Sequence, residues 1–360
     1  MMNNNGQWFM QLFVRIGMFL FWVIVIVLFL SLSYLEFFFQ DEKSISIFTW
    51  PLLIDQEEVL DKFTAETGIH VYVSYYETNE ELFGKLHATG GAGYDMVIPS
   101  DYLVPLLIKE GLLKKLDKSQ LPCFEKIDPK LLNHYYDPQN LYTVPYLWIV
   151  YGVGIDQRYF KDKKLIPSWA MIFDPAVAPP SVGMINAPRE AVLIAAQYLF
   201  GETDNLLLPG RIDQIKELLL AQKSMVQTYT EAGIEYLLFS GSAPAVVAEA
   251  QDIVRIKRLA NYVDFVLPKE GGFVVIDSLA LTAKTNKDAL VYQLINFLYR
   301  NNILIIHRDK YGMCPPVIKL QQEESDVFCP SDEQFSKMQF FKSDISEETF
   351  FDIWLTLLAL

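Results

Sequence analysis

The sequence predicts an α/β protein of two domains. Three observations carry that reading. Strand and helix patterns alternate with short connections from Ser44 onward. The alternation resumes near Val150 with a second set of elements. The 360 residues are enough to fill two cores of ordinary size. Short βα connections imply a mostly parallel sheet with helices on both faces.

The first element lies outside that body. Ile16 to Leu35 is an uncharged apolar run preceded by Arg15. About 20 such residues cross a bilayer as a helix, whereas a cleaved signal carries only about 7–15. Ser31-Leu32-Ser33 still offers a small-x-small cleavage pattern. Residues 1–40 are therefore expected to be a signal peptide or a signal anchor, with Arg15 on the cytoplasmic side and the rest exported. No cysteine stands just after the run, so lipid attachment is not expected.

Ser44 to Phe48 alternates and reads as a strand. Glu57 to Thr67 reads as a helix that buries Val59, Leu60 and Phe63 and stops at Gly68. His70 to Tyr76 is β-branched and aromatic, a second strand. Asn79 is placed as the cap of a helix from Glu80 to His87, and Gly90 to Gly93 breaks it. Asp95 to Ile98 is a short apolar strand, and a helix is expected from Asp101 to Lys109. In the second region, Ser168-Trp169, Met184-Ile185, Ala245 to Val247 and Asp264 to Leu267 are assigned to another sheet. Helices are expected at Arg189 to Phe200 and Gln214 to Lys223. Ile276 to Ala280 leads into a helix from Lys287 to Tyr299.

Charge and cysteine usage narrow the function. The net charge is −14, and Arg15 and Glu36 cancel within the first forty residues, so the excess belongs to the body. Such a body repels nucleic acid and favours cationic partners, although solubility alone also explains it. Cys123, Cys314 and Cys329 form no CxxC or Cys/His cluster; Cys314 and Cys329 could pair in an oxidising compartment. The histidines are scattered, and no metal or cofactor signature is present. Nor is there a GxSxG, P-loop or GxGxxG motif, so an enzyme is the least favoured class. In parallel sheets, ligands sit beyond the carboxyl ends of the strands. That places Thr49-Trp50, Tyr76-Glu77 and Pro99 to Tyr102 at one cleft.

Several segments occur in order: Glu66 to Ile69, Tyr76 to Glu80, Tyr94 to Tyr102, Val144 to Trp148, Pro268 to Gly272, Asp277 to Ala280 and Asn296 to Leu298. In this order and spacing, from about Ser44 to Met313, the chain resembles the bacterial spermidine/putrescine-binding proteins of ATP-driven importers. The resemblance implies a two-lobed periplasmic-binding-protein type II fold with a ligand cleft between lobes, preceded here by the N-terminal hydrophobic helix. By that analogy, lobe one is 44–149 plus 276–320, and lobe two is 150–275 plus 321–360. It implies a monomer that takes a polyamine, closes, and docks on the permease subunits of an ABC transporter, with no cofactor and no nucleic-acid partner.

Burying ammonium groups costs several kcal/mol per ion unless each is paired, so a polyamine receptor needs spaced carboxylates. It also needs aromatic walls, each worth about 0.5–2 kcal/mol to a cation. Carried over position by position, the resemblance implies Trp50 and Tyr102 as walls, Ser100 beside them, and Asp277 and Glu190 as acids. Asp101 and Glu249 complete the candidate set, Glu249 aligning with a family tryptophan. Leu52, Leu53, Ala187, Val275 and Met313 stand where the family carries acids or aromatics. Structural roles compete at each position: Trp50 as a core ring, Ser100 and Asp101 as helix caps, Tyr102 as helix packing, and Glu190 as a helix N-terminal charge. Two other functions stay open, namely a binding protein of the same fold for another small organic cation and a membrane-anchored occupancy sensor.

Overall fold

The computed structural model describes residue 15 and residues 17–26, 43–163, 165–230, 233–321 and 328–359. The chain forms two compact units, Met1–Ser44 and Ile45–Leu360. In the first, residues 17–26 are helical. The cleavage pattern at Ser31 to Ser33 and the C-terminal part of the hydrophobic run lie outside the described residues. No helix among the described residues is long and apolar enough to cross a membrane.

Among the described residues the sheet has ten strands: β1 (Ser44–Thr49), β2 (His70–Tyr75), β3 (Met96–Val97), β4 (Thr143–Asp156), β5 (Val182–Ile185), β6 (Val226–Thr230), β7 (Ala245–Glu249), β8 (Val263–Val266), β9 (Phe273–Leu281) and β10 (Gln339–Phe340). The order is β2-β1-β3-β9-β4-β7-β5-β6, with β10 beside β9 and β8 beside β4. The expected mostly parallel sheet is corrected to a mixed one. β1 runs parallel to β3, and β5 runs parallel to both β6 and β7. Between these groups, β9 is antiparallel to β3 and β4, and β4 is antiparallel to β7 and β8. β4 and β9 are long and buried on both faces, so periodicity hides them. They are the two chain crossings. The first half of β4 pairs with β9, and its second half pairs with β7 and β8.

The cores follow the same division. One cluster joins Ile45, Phe63, Tyr146 and Trp148 to Ile276, Ile295 and Leu304. Another joins Val153, Trp169, Ile194 and Val247 to Phe341, Phe350 and Trp354. The tail is split between them, with Met338 in the first and Phe341 onward in the second. Cys314 and Cys329 are disulfide-bonded, and Cys123 is free and buried.

Local details correct three assignments. Thr78, not Asn79, caps the helix Asn79–Thr89, accepting from the Glu81 N–H. Asn79 instead turns inward and donates to the Tyr102 hydroxyl at 2.7 Å. The helix expected from Asp101 starts at Val104, because Ser100 to Leu103 form the turn that bridges to β9. Ser168 and Trp169 are not strand; they start the short helix Ala170–Phe173. There the Trp169 indole N–H donates to the Gly271 carbonyl at 2.9 Å.

Candidate functional site

Parallel strands point their carboxyl ends the same way, and the next element must turn there. Trp50 follows β1, Ser100 to Tyr102 follow β3, Glu190 opens the helix Pro188–Phe200 after β5, and Glu249 ends β7. Asp277 sits in the middle of the crossing strand β9, opposite Leu147 of β4. Glu249 lies opposite Tyr151 of the same strand. Leu147 and Tyr151 share a face of β4, so the crossing strand carries both acids' partners.

Asp277 is buried, and its Oδ1 accepts from the Ser100 hydroxyl at 2.8 Å. Burial pushes its carboxyl up to about 8; the charges of Glu249 and Asp101 add to the rise, while the hydrogen bond from Ser100 opposes it. The Trp50 indole N–H is buried without a hydrogen-bond partner among the described residues. The Trp50 ring packs on Tyr76, centroids 4.5 Å apart.

Asp101 behaves differently from its neighbours. It is fully buried, and its carboxylate accepts from the Ile276 N–H at 3.1 Å and from the Tyr135 hydroxyl at 2.9 Å. It does not cap the following helix; it ties the β3 turn to β9. Burial raises it to about 7. Tyr102 is held by Asn79, and the Arg189 guanidinium lies over its ring, 5.0 Å from the centroid.

Glu190 and Glu249 supply acid from the other side. Burial raises Glu190 to about 7, against the opposing charge of Arg189. Arg189 itself is engaged with Glu347 and with the Phe341 carbonyl. Glu249 accepts from the Tyr151 hydroxyl and from the Gln251 amide, and burial raises its carboxyl. Arg255, the nearest cation, is paired with Asp252 at 2.8 Å and Glu235 at 3.4 Å. Glu249 is felt electrostatically by both Glu190 and Asp277. The structure therefore brings Trp50, Ser100, Tyr102, Glu190, Glu249 and Asp277 into one electrostatic neighbourhood, with Asp101 as its brace. None of Glu190, Glu249 and Asp277 makes an ion pair among the described residues.

Sequence reasoning missed Asn79, Tyr151 and Gln251. Asn79 was masked by its cap-like setting and Tyr151 by its place inside an apolar run. Gln251 carried no signal at all. Among the positions that depart from the family pattern, Leu53, Val275 and Met313 are buried, while Leu52 is exposed with φ +64°. Among the described residues no group of three or more His, Cys, Asp or Glu side chains is placed to hold a metal ion.

Known proteins are similar to this chain in sequence and fold. The chain is 32% identical over 273 residues to the spermidine/putrescine-binding periplasmic protein of Salmonella typhimurium, covering 73% of this chain and 75% of that protein. It is 30% identical over 284 residues to a putrescine-binding periplasmic protein of Pseudomonas aeruginosa, covering 73% and 76%. Its fold superposes with a TM-score of 0.75 on the spermidine/putrescine ABC transporter substrate-binding protein of Streptococcus pneumoniae, at 20% identity, over 88% of this chain and 99% of that one. The family model for bacterial extracellular solute-binding proteins matches residues 58–328, and with two α/β lobes, two crossing strands and this extent of similarity, the chain belongs to that family.

Proposed function

We propose that the protein is an extracytoplasmic receptor that captures a polyamine of the spermidine or putrescine class by closure of its two lobes. One observation carries the reading: Glu190 and Asp277 are buried and Glu249 is half-buried, the charge of Glu249 acts on both of the others, and none of the three has an ion pair among the described residues. Isolated buried carboxylates are costly and stay partly protonated. A ligand with several ammonium groups removes that cost and is held by charge-assisted hydrogen bonds. Trp50 and Tyr102 line its methylenes, and the relatives' names point to the same ligands.

In this reading lobe one is 44–149 plus 276–320, and lobe two is 150–275 plus 321–360, the tail packing with Met338 on the first core cluster and from Phe341 on the second. Rotation about β4 and β9 closes the cleft. The closed monomer then docks on the permease subunits of an ABC importer on the periplasmic side, free or held by its N-terminal segment. Nothing in this cycle makes or breaks a covalent bond.

Thermal unfolding of the full chain in mild detergent, with putrescine, cadaverine, spermidine and spermine, tests the proposal. A ligand at about 100 times its Kd adds about 2.7 kcal/mol to stability, which raises Tm by about 2–4 °C in a protein of this size. A rise with none of the four sinks the polyamine reading and moves the search to other small organic cations.

A further inference from the structure

The tail passes from one lobe to the other while touching both. The short helix Asp332–Phe335 packs on lobe one: the Phe335 ring stands edge-on to Trp148, centroids 5.7 Å apart, and Asp332 pairs with Lys130 at 3.2 Å. The Gln339 N–H then donates to the Gly272 carbonyl of lobe two at 3.0 Å, and the Phe340 ring packs on Tyr135 of lobe one, centroids 5.6 Å apart. Phe341 stacks on Phe273 of lobe two at 4.3 Å. At the other end, Phe328 meets Phe265 of β8, also in lobe two, at 4.9 Å. Residues that alternate partners in this way, beside the crossing strand β9, form a strap. The strap cannot keep all of these contacts when the lobes rotate apart.

The disulfide fixes the start of the strap at the hinge. Cys314 forms a backbone bridge with Trp148, with hydrogen bonds in both directions at 3.2 Å, and the Trp148 indole N–H donates to the Pro315 carbonyl at 3.1 Å. Trp148 lies in β4 opposite Ile276 of β9, so Cys314 is held on the crossing pair itself. With the bond closed, the strap is tethered at Cys329, just before its contacts with lobe one. With it open, the anchor moves back along the chain by 15 residues to Cys314, and holding the strap in place costs more chain entropy. The lobes are drawn together in this arrangement, since the Arg189 guanidinium of lobe two lies over the Tyr102 ring of lobe one. The contacts of the strap therefore belong to the closed form.

We propose that the bond between Cys314 and Cys329 is a redox switch on ligand capture. Oxidised, it holds the strap across both lobes and favours closure; reduced, it frees the strap and lets the lobes open. The inference rests on the polyamine reading of the cleft. The reductant is a dithiol. Cys314 is buried and Cys329 half-buried, so one thiolate of the dithiol attacks the Cys329 Sγ, the S–S bond breaks, and Cys314 leaves as a thiolate that takes up a proton. The second sulfur of the dithiol then displaces Cys329 as a thiol. Two electrons and two protons reach the protein, and the dithiol becomes a disulfide. A smaller closed population raises the apparent Kd by the same factor.

Calorimetric titration with spermidine and hydrogen exchange of the full chain in mild detergent, each with and without dithiothreitol, test the switch. Reduction is expected to raise the spermidine Kd about tenfold and to speed amide exchange at 332–341, while β1 and β5 keep their protection. The double variant Cys314→Ser with Cys329→Ser should match the reduced wild type and ignore dithiothreitol. Phe335→Ala loosens the strap with the bond intact and should move both readouts the same way; it carries the test if the double variant does not fold. An unchanged Kd, or unchanged exchange at 332–341, overturns the switch and leaves the polyamine reading standing. Loss of protection throughout the chain on reduction also overturns it, making the bond a staple of the fold. Absence of spermidine binding in both redox states overturns the polyamine reading, and with it the control of capture.

Discussion

The Ser100 hydroxyl donates to Asp277 Oδ1 at 2.8 Å, joining residues 177 positions apart in sequence. The same pair forms an antiparallel backbone bridge. The turn after β3 is thus fixed to the crossing strand at the point where the central acid projects. Ser100 holds one of the two carboxylate oxygens.

Asp277→Asn preserves the bond from Ser100 and removes the charge. Polyamine affinity is expected to fall about thirtyfold or more, the cost of leaving an ammonium buried without its partner. The melting temperature without ligand stays within a few degrees or rises, since a buried carboxylate is removed. Titration calorimetry and a melting curve separate the two effects. Unchanged affinity would remove Asp277 from the site.

The pH dependence has opposite signs for folding and for binding. Asp101 and Glu190 are raised to about 7 and Asp277 to about 8 in the folded chain. A folded pKa above the unfolded one gives stability that is complete below the unfolded value, near 4, and lost as pH rises through the folded value. His307 works the other way at lower pH. Its ring is buried between the Asp55 N–H and the Tyr146 hydroxyl, and burial lowers it to about 4, so it costs stability as pH falls below about 6.5. Above pH 6.5 the acids dominate. Stability without ligand should decline from pH 6.5 to 8.5, while polyamine affinity rises over the same range as the carboxylates ionise. Parallel trends in the two would refute the assignment of these acids.

Gly271 joins the turn before β9 to the tail. Its φ is +95°, and a Cβ there would lie 2.0 Å from the Lys337 carbonyl oxygen, a clash with backbone. Its own carbonyl accepts from Trp169. Gly271→Ala should cost about 3 kcal/mol or more, from left-handed strain and displacement of the tail. Denaturant unfolding measures it; a loss under about 1 kcal/mol would mean that the tail is loosely held.

The disulfide between Cys314 and Cys329 closes a loop of 15 residues. Its reduction should lower stability by about 3 kcal/mol. Cys123 is buried, and burial pushes its thiol up to about 12, so it should resist alkylation in the folded chain. Melting with and without reductant, and mass measurement after alkylation, check both. Rapid modification of Cys123 without unfolding would contradict its burial.

Much of this molecule is legible in its sequence because the relevant forces are local. Gly68 and Gly90 end helices where only a left-handed residue fits, and the short strands before Trp50 and Ser100 reveal themselves by apolar runs bounded by turn residues. Ordered segments at fixed spacing are enough to indicate the family. Local rules mistook Asn79 for a cap, since Thr78 offers the same chemistry one residue earlier. The direction of β4 and β9 was out of reach for another reason: strands buried on both faces carry no alternation, and pairing partners are set by long-range packing. The site's electrostatics belong to the tertiary structure as well. Asp101 and Asp277 are both acids near apolar residues in the sequence, yet only folding gives Asp101 the Tyr135 hydroxyl and the Ile276 N–H and leaves Asp277 with Ser100 and no cation. The sequence determined which elements form and how acidic the body is. Burial and the company each carboxylate keeps, decided by contacts across hundreds of residues, determined which acids brace the fold and which stand without a cation among the described residues.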